Sequence, residues 1–281
     1  MMHSRERDSL GELLQAIDRV LDAGETAVVA TLLTGDVAIG AKVLIEKSGR
    51  TTGTLDNTDL SDGLVALAQR FLESQRDVTV FSLAEVSPNV TGSVLLERLQ
   101  PEPRVVICGA GHVGASLARF GAVLGFHVTL IDDRPEFVTA DKFSDERIKL
   151  CAAEGWANSV RKAIANGHGV SVAIVTRGHN QDEECLRAAL TLNPDYVGMI
   201  GSKRRTNIVL QRLRDGGVEE QRINAVRAPI GLDIGAVTPE EVALSILAEI
   251  VAERRARRGG SLSSWRRHDP RDHTKQPEPS T

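Results

Sequence analysis

Aromatic side chains are scarce in this chain: six Phe, two Trp and one Tyr make up 3% of its 281 residues. That scarcity argues against a stacking surface for single-stranded nucleic acid. The core has to be built from Val, Leu, Ile and Ala, which suit helices packed on a buried parallel sheet. Positive charge is also in deficit, with 34 Lys and Arg against 38 Asp and Glu and a net charge of -4. A general nucleic-acid binder needs a basic footprint that this balance lacks, so no nucleic-acid partner is expected. Cysteine is limited to Cys108, Cys151 and Cys185, with no C-x-x-C pair. Neither a disulfide framework nor a zinc knuckle is indicated, no metal site is read, and Cys108 is expected to be an inert strand residue. No apolar run approaches the ~20 residues needed to span a bilayer. The opening MMHSRERDSL lacks the apolar centre of a signal peptide, so no membrane partner and a cytoplasmic location are expected.

What is present is concentrated in one stretch. Arg104 to Cys108 is a short apolar run suited to a buried strand, and Gly109, Gly111 and Gly114 follow as G-x-G-x-x-G at the opening of a helix. Gly109 permits the tight turn, Gly111 lets a pyrophosphate approach bare backbone, and Gly114 lets the helix pack closely on the strand. The free N–H groups at the helix start favour an anion. A second run, His127 to Ile131, ends on Asp132, about 20 residues after the turn, where a ribose acceptor belongs. The unit reads as a Rossmann nucleotide site, or as a Rossmann turn that keeps its glycines for packing or for another ligand. Asp132 favours the free 2′-hydroxyl of NAD, whereas Arg134 suits a 2′-phosphate.

Around this unit the length leaves room for two domains. Apolar spacing predicts a helix over Leu10 to Leu21, strands over Ala27 to Leu33 and Lys42 to Ile45, and a helix over Leu64 to Leu72, hence a small α+β domain over 1–100. Gln100-Pro-Glu-Pro103 is a proline-stiffened connector. Beyond it, strands near Ile148 to Cys151, Ser171 to Thr176 and Tyr196 to Ile200 alternate with helices, so 101–258 reads as a Rossmann-like, doubly wound parallel sheet. Thr238, Pro239 and Glu241 form a capping box that opens a last helix, Glu240 to about Arg258. The polar segment 259–281 is expected to be a disordered tail.

In a doubly wound sheet the ligand lies beyond the carboxyl ends of the strands, so three segments there are candidates. His179 and Asp182, three apart at a helix start, could face one ligand or transfer a proton; alternatively Asp182 caps the helix and His179 packs in the turn. Gly201-Ser202-Lys203-Arg204-Arg205 offers free N–H groups, a hydroxyl and cations to a phosphate, or is an ordinary basic helix surface. Asp233, in the shaped loop from Ala228, is a ligand contact or a turn acceptor.

In combination these motifs resemble the XdhC/CoxI proteins, accessory factors for xanthine dehydrogenase and related molybdenum hydroxylases. The resemblance rests on ICGAGHVG from Ile107, IDDRPEF from Ile131, TRGHNQDEECLRAAL from Thr176, YVGMIGSKRR from Tyr196 and APIGLDIGAVTPEEVALSILAEIV from Ala228. It implies a maturation factor that receives, protects or delivers molybdenum cofactor (molybdopterin). A molybdenum hydroxylase apo-enzyme, a sulfurtransferase and a second copy of the chain are its implied partners. Gly109, Gly111, His112, Gly114, Asp132, Arg134, Ser202, Lys203, Arg204 and Asp233 are the implied cofactor-binding set. The family's usual G-G-C-[VL]-E motif is replaced by Asp56-Asn57-Thr58-Asp59, which offers no thiolate. Two other readings stay open: an NAD(P)-dependent oxidoreductase with His179 as acid or base oriented by Asp182, and a sensor of NAD state.

Overall fold

The computed structural model describes residues 2–35, 39–53, 58–74, 76–88, 90–165, 169–257 and 259–261, with the side chains of 2–9 and 58–59 left aside. Two sheets of opposite kind flank residues 100–103, which adopt no regular structure. The first follows α1 (Met2–Asp22) and contains β1 (Ala27–Gly35), β2 (Lys42–Glu46), β3 (Thr51–Thr52), β4 (Val78–Ser82) and β5 (Gly92–Leu99), with α2 (Thr58–Glu73) between β3 and β4. Its order is β3-β2-β1-β5-β4, and every neighbouring pair is antiparallel. Side chains alternate across a strand. Val28, Ala30 and Leu32 therefore meet Leu60, Leu64, Leu67 and Phe71 of α2 on one face, while Ala27 and Leu44 meet Leu13, Ala16 and Val20 of α1 on the other.

The second sheet contains β6 (Arg104–Cys108), β7 (His127–Asp132), β8 (Ile148–Ala152), β9 (Val170–Ile174) and β10 (Tyr196–Met199). Its order is β10-β9-β6-β7-β8 and it is parallel throughout. Counted from β6, this is the 3-2-1-4-5 order of a Rossmann sheet, with the reversal between β6 and β9. α3 (His112–Val123) and α8 (Pro239–Arg254) cover one face, where Leu117, Ala118, Ala243, Ile246 and Ile250 pack on Val105 and Ile107. α4 (Trp156–Ile164), α5 (His179–Leu190) and α6 (Lys203–Asp215) cover the other, where Val160, Leu186, Ala189, Val209 and Leu213 pack on Val106, Cys108 and Val172. After α7 (Glu220–Asn224), Arg227 bridges Gly198 in parallel as the trace of a sixth strand.

Two features differ from the sequence expectation. Strands β3, β4 and β5 were not expected; β5 pairs with β1, and its partner residues lie some sixty or more positions away in the chain, as in Thr31 against Leu95. Helix α8 ends at Arg254 rather than near Arg258. There Ala256 takes φ 49°, its N–H donates to the Glu253 carbonyl (2.9 Å), and the Arg257 N–H donates to the Ala252 carbonyl (2.8 Å). These bonds form a Schellman closure with Ala in the position usually held by Gly. The segment 262–281, read from the sequence as tail, lies outside the described residues. Among the described residues no helix is long and apolar enough to cross a membrane.

Candidate ligand crevice

The chain leaves β6 through Gly109, whose φ of 111° lies in the left-handed region and whose hypothetical Cβ would sit 2.6 Å from the Val175 carbonyl oxygen. A Cβ on Gly114 would sit 1.8 Å from the Gly109 oxygen. These two glycines are therefore required by the protein's own packing. Gly111 is not. Its φ is -65°, open to any residue, and a Cβ there would meet no protein atom within 4 Å. The space in front of it belongs to an open cleft walled by Gly109, Asp132, Arg134, Trp156, Thr176 and Arg177 among others.

Helix starts around this cleft lack the side-chain caps that α6 and α8 carry. Gly111, Gly155 and Gly178 cap α3, α4 and α5 without any side-chain hydrogen bond. In contrast Ser202 caps α6 by accepting from Arg205 N–H, and Thr238 with Glu241 forms a full capping box on α8. The first N–H groups of a helix have no intrahelical acceptor. Those of His112, Val113 and Gly114 in α3 find none among the described residues, whereas Ala157 N–H in α4 is met by Glu184 (3.0 Å).

Two carboxylates end β7. Asp132 is buried and accepts from Ala110 N–H (2.7 Å), Arg134 N–H (3.0 Å), Arg134 Nε (2.8 Å) and Arg134 Nη2 (3.0 Å). Burial opposes its charge, but the Arg134 guanidinium and the two backbone N–H groups outweigh that and hold its carboxyl below the usual carboxylate value. Asp132 in turn raises Arg134. Asp133 points instead to Arg177 in the loop after β9, through paired bonds of 3.0 Å. Because β6 lies between β7 and β9, this ion pair spans the end of β6, where the glycine turn begins.

The structure brings Gly109, Gly111, His112, Gly114, Asp132 and Arg134 to one place, with His112 exposed at the first position of α3. His179 and Asp182 do not form a pair. His179 is exposed, whereas Asp182 is fully buried, accepts from Thr176 Oγ1 (2.6 Å) and Arg205 Nε (2.7 Å), and is in ion-pair contact with Arg205 Nη2 (2.5 Å). Burial pushes the Asp182 carboxyl up, and Thr176, Arg205 and His179 offset only part of that rise. Ser202 serves as the α6 cap. Lys203, Arg204 and Asp233 are exposed and outside the wall of the cleft. Asp133, Trp156, Arg177 and Gln181 complete that wall; Arg177 sits inside the Thr176 to Asp182 motif, beside the residues that the sequence pattern singles out. Cys108 and Cys185 are buried, and burial together with contact to Cys108 drives the Cys185 thiol well above its ordinary value.

Residues 105–250 match the XdhC Rossmann-domain model. The chain belongs to the XdhC family. It is 29% identical over 181 residues to a Bacillus subtilis protein described as a probable component of xanthine dehydrogenase, covering 64% of this chain and 51% of that one. It is 32% identical over 84 residues to the molybdenum cofactor insertion chaperone PaoD of Escherichia coli, covering 30% and 26% respectively. The matched parts thus span about half of the first relative's length and about a quarter of the second's. A crystal structure described as a xanthine dehydrogenase from Bacillus halodurans superposes with a TM-score of 0.50 at 21% identity, covering 89% of this chain and 98% of that one. That likeness concerns the fold.

Proposed function

We propose that this XdhC-family protein is an accessory factor that holds molybdenum cofactor for a molybdenum hydroxylase in the cytoplasm, gripping the phosphate end of the pterin in the crevice at Gly111. The observation that carries the reading is the combination at that residue. Packing leaves Gly111 free to be any residue, yet bare backbone faces an open cleft at the start of a helix whose first N–H groups are unmatched among the described residues. Such a helix start favours an anion through its free donors and its dipole. Arg177 at the cleft wall is the cation placed to join it, by exchanging Asp133 for the incoming phosphate.

This reading concerns the phosphate end of the cofactor. Among the described residues no group of three or more His, Cys, Asp or Glu is arranged to hold a metal ion. Residues 54–57, which include Asp56 and Asn57 of the stretch replacing the family cysteine motif, lie outside the described residues, as do the side chains of Thr58 and Asp59. In this reading the molybdenum centre is cargo, handed to an apo-hydroxylase, with a sulfurtransferase and a second copy of the chain as further partners. The enzyme reading loses its acid–base pair, because Asp182 is committed to Thr176 and Arg205.

The test is purification from a host that makes molybdenum cofactor, followed by mass spectrometry of the bound small molecule and metal analysis. A phosphorylated pterin with molybdenum in the wild type, absent from Gly111→Asp of equal thermal stability, is the expected result. Equal cofactor content in both would refute the crevice assignment.

A further inference from the structure

Asp132 stands at the strand end where a Rossmann crevice places the acid for an adenosine ribose. A carboxylate has two oxygens and about four lone-pair sites. In this protein the chain itself fills them: Oδ1 accepts from Arg134 N–H and Nε, and Oδ2 accepts from Ala110 N–H and Arg134 Nη2. Arg134 is fixed in turn. Its guanidinium carbon lies 3.7 Å from the centroid of the Phe137 ring, which also carries the Lys142 ammonium at 5.2 Å. The side chain of Asp132 is 2% exposed beneath it.

We propose that Arg134 is a specificity-determining residue: its guanidinium occupies the ribose subsite, so the crevice takes a phosphorylated ligand without a ribose diol and turns away NAD(H). This rests on the reading of the crevice as a phosphate site. A diol entering the subsite has to displace a two-pronged, charge-assisted pair and offer neutral hydroxyls instead. It also has to peel the guanidinium off the Phe137 face, losing a cation–π contact. The glycine turn is untouched by this arrangement, because Gly111 still opens on empty space. Arg134 thus separates the two halves of a dinucleotide site, leaving the phosphate half open and closing the ribose half.

The experiment is a fluorescence titration of NADH against the wild type, Arg134→Ala and Arg134→Lys, with thermal unfolding of each. The wild type is expected to bind no NADH up to on the order of 1 mM, and Arg134→Ala to gain at least about tenfold in affinity. Arg134→Lys keeps the charge without the fork or the stack and is expected to fall between them. Should Arg134→Ala fail to fold, Arg134→Lys decides: a gain supports the assignment and no gain overturns it. Micromolar NADH binding by the wild type, or no gain in folded variants, also overturns it. Inorganic pyrophosphate titrated against the wild type and Gly111→Asp forms a separate arm. If both proteins respond alike, the phosphate reading of the crevice fails, while the NADH titrations still report on Arg134.

Discussion

Two of the aspartate–arginine pairs on this rim of the parallel sheet, Asp182–Arg205 and Asp133–Arg177, are given opposite work by their surroundings. Asp182 is fully buried, its partner Arg205 is 21% exposed, and the pair ties the end of β9 to the start of α6 through Thr176. Asp133 and Arg177 are 28% and 49% exposed and bridge two loops over the glycine turn. The first pair cannot be opened without leaving a charge in the core. The second opens into water, so its bonds are exchangeable for those of a ligand. Chemical identity of the pair is the same in both, and burial alone decides which is a brace and which is a latch.

The largest effect should come from breaking the brace. Arg205→Ala leaves the Asp182 carboxylate buried with only Thr176 for company, and removing one partner of a buried pair costs about 3–5 kcal/mol. Chemical denaturation is expected to show that loss, whether or not any ligand is present. A smaller loss would mean that Asp182 takes up a proton readily, in line with the upward push that burial exerts on it.

Arg177→Ala is the matching change in the latch. An exposed pair contributes about 0–1 kcal/mol, so the melting curve should barely move. Affinity for inorganic pyrophosphate should nevertheless fall by about tenfold, the effect of losing one charge-assisted contact. Unchanged affinity would show that the Arg177–Asp133 pair is structural decoration on the loop and would erase its contrast with the brace.

Asp132 sharpens the comparison from the side of pH. Its folded carboxyl titrates below the ordinary value of 3.8, so its contribution to stability is fully present above that value and is lost as pH falls through the lower folded value. Asp132→Asn should therefore be less stable than the wild type at neutral pH, and the gap should close as the pH is taken below the ordinary carboxylate value. A gap that stays constant with pH would show that Arg134 supports the fold by stacking on Phe137 and not through the carboxylate.

How much of this was legible in the chain follows from the range of the interactions. The glycine turn, the Asp132 strand end and the Thr238–Glu241 capping box are written in neighbouring residues, and the sequence pattern located each of them. The parallel order of the second sheet followed from strand and helix alternation. The fate of Asp182 did not, because it depends on Arg205, 23 positions away on another helix. Nor did β5, whose pairing with β1 joins distant segments, or the end of α8, where Ala256 takes the place where a glycine would have announced the stop. Arg134 was visible as a cation near the site, but whether it faced the ligand or its own Asp132 was a matter of side-chain direction.

The smallest change in stability belongs to Gly111→Ala, and it is the most discriminating variant. With φ at -65° and no atom within 4 Å of the added methyl, the folded state bears no strain, while the unfolded chain loses conformational freedom. Stability should hold or rise by about 0.4–1 kcal/mol. The methyl group occupies the approach to the α3 start, so pyrophosphate affinity should drop. Gly109→Ala makes the control, since its Cβ would collide with the Val175 carbonyl at 2.6 Å in a left-handed backbone and should destabilise the fold directly. A stable Gly111→Ala with undiminished affinity would mean that the empty space in front of this glycine serves no ligand. The reason for a glycine there would then have to be sought in a partner surface pressing on the turn.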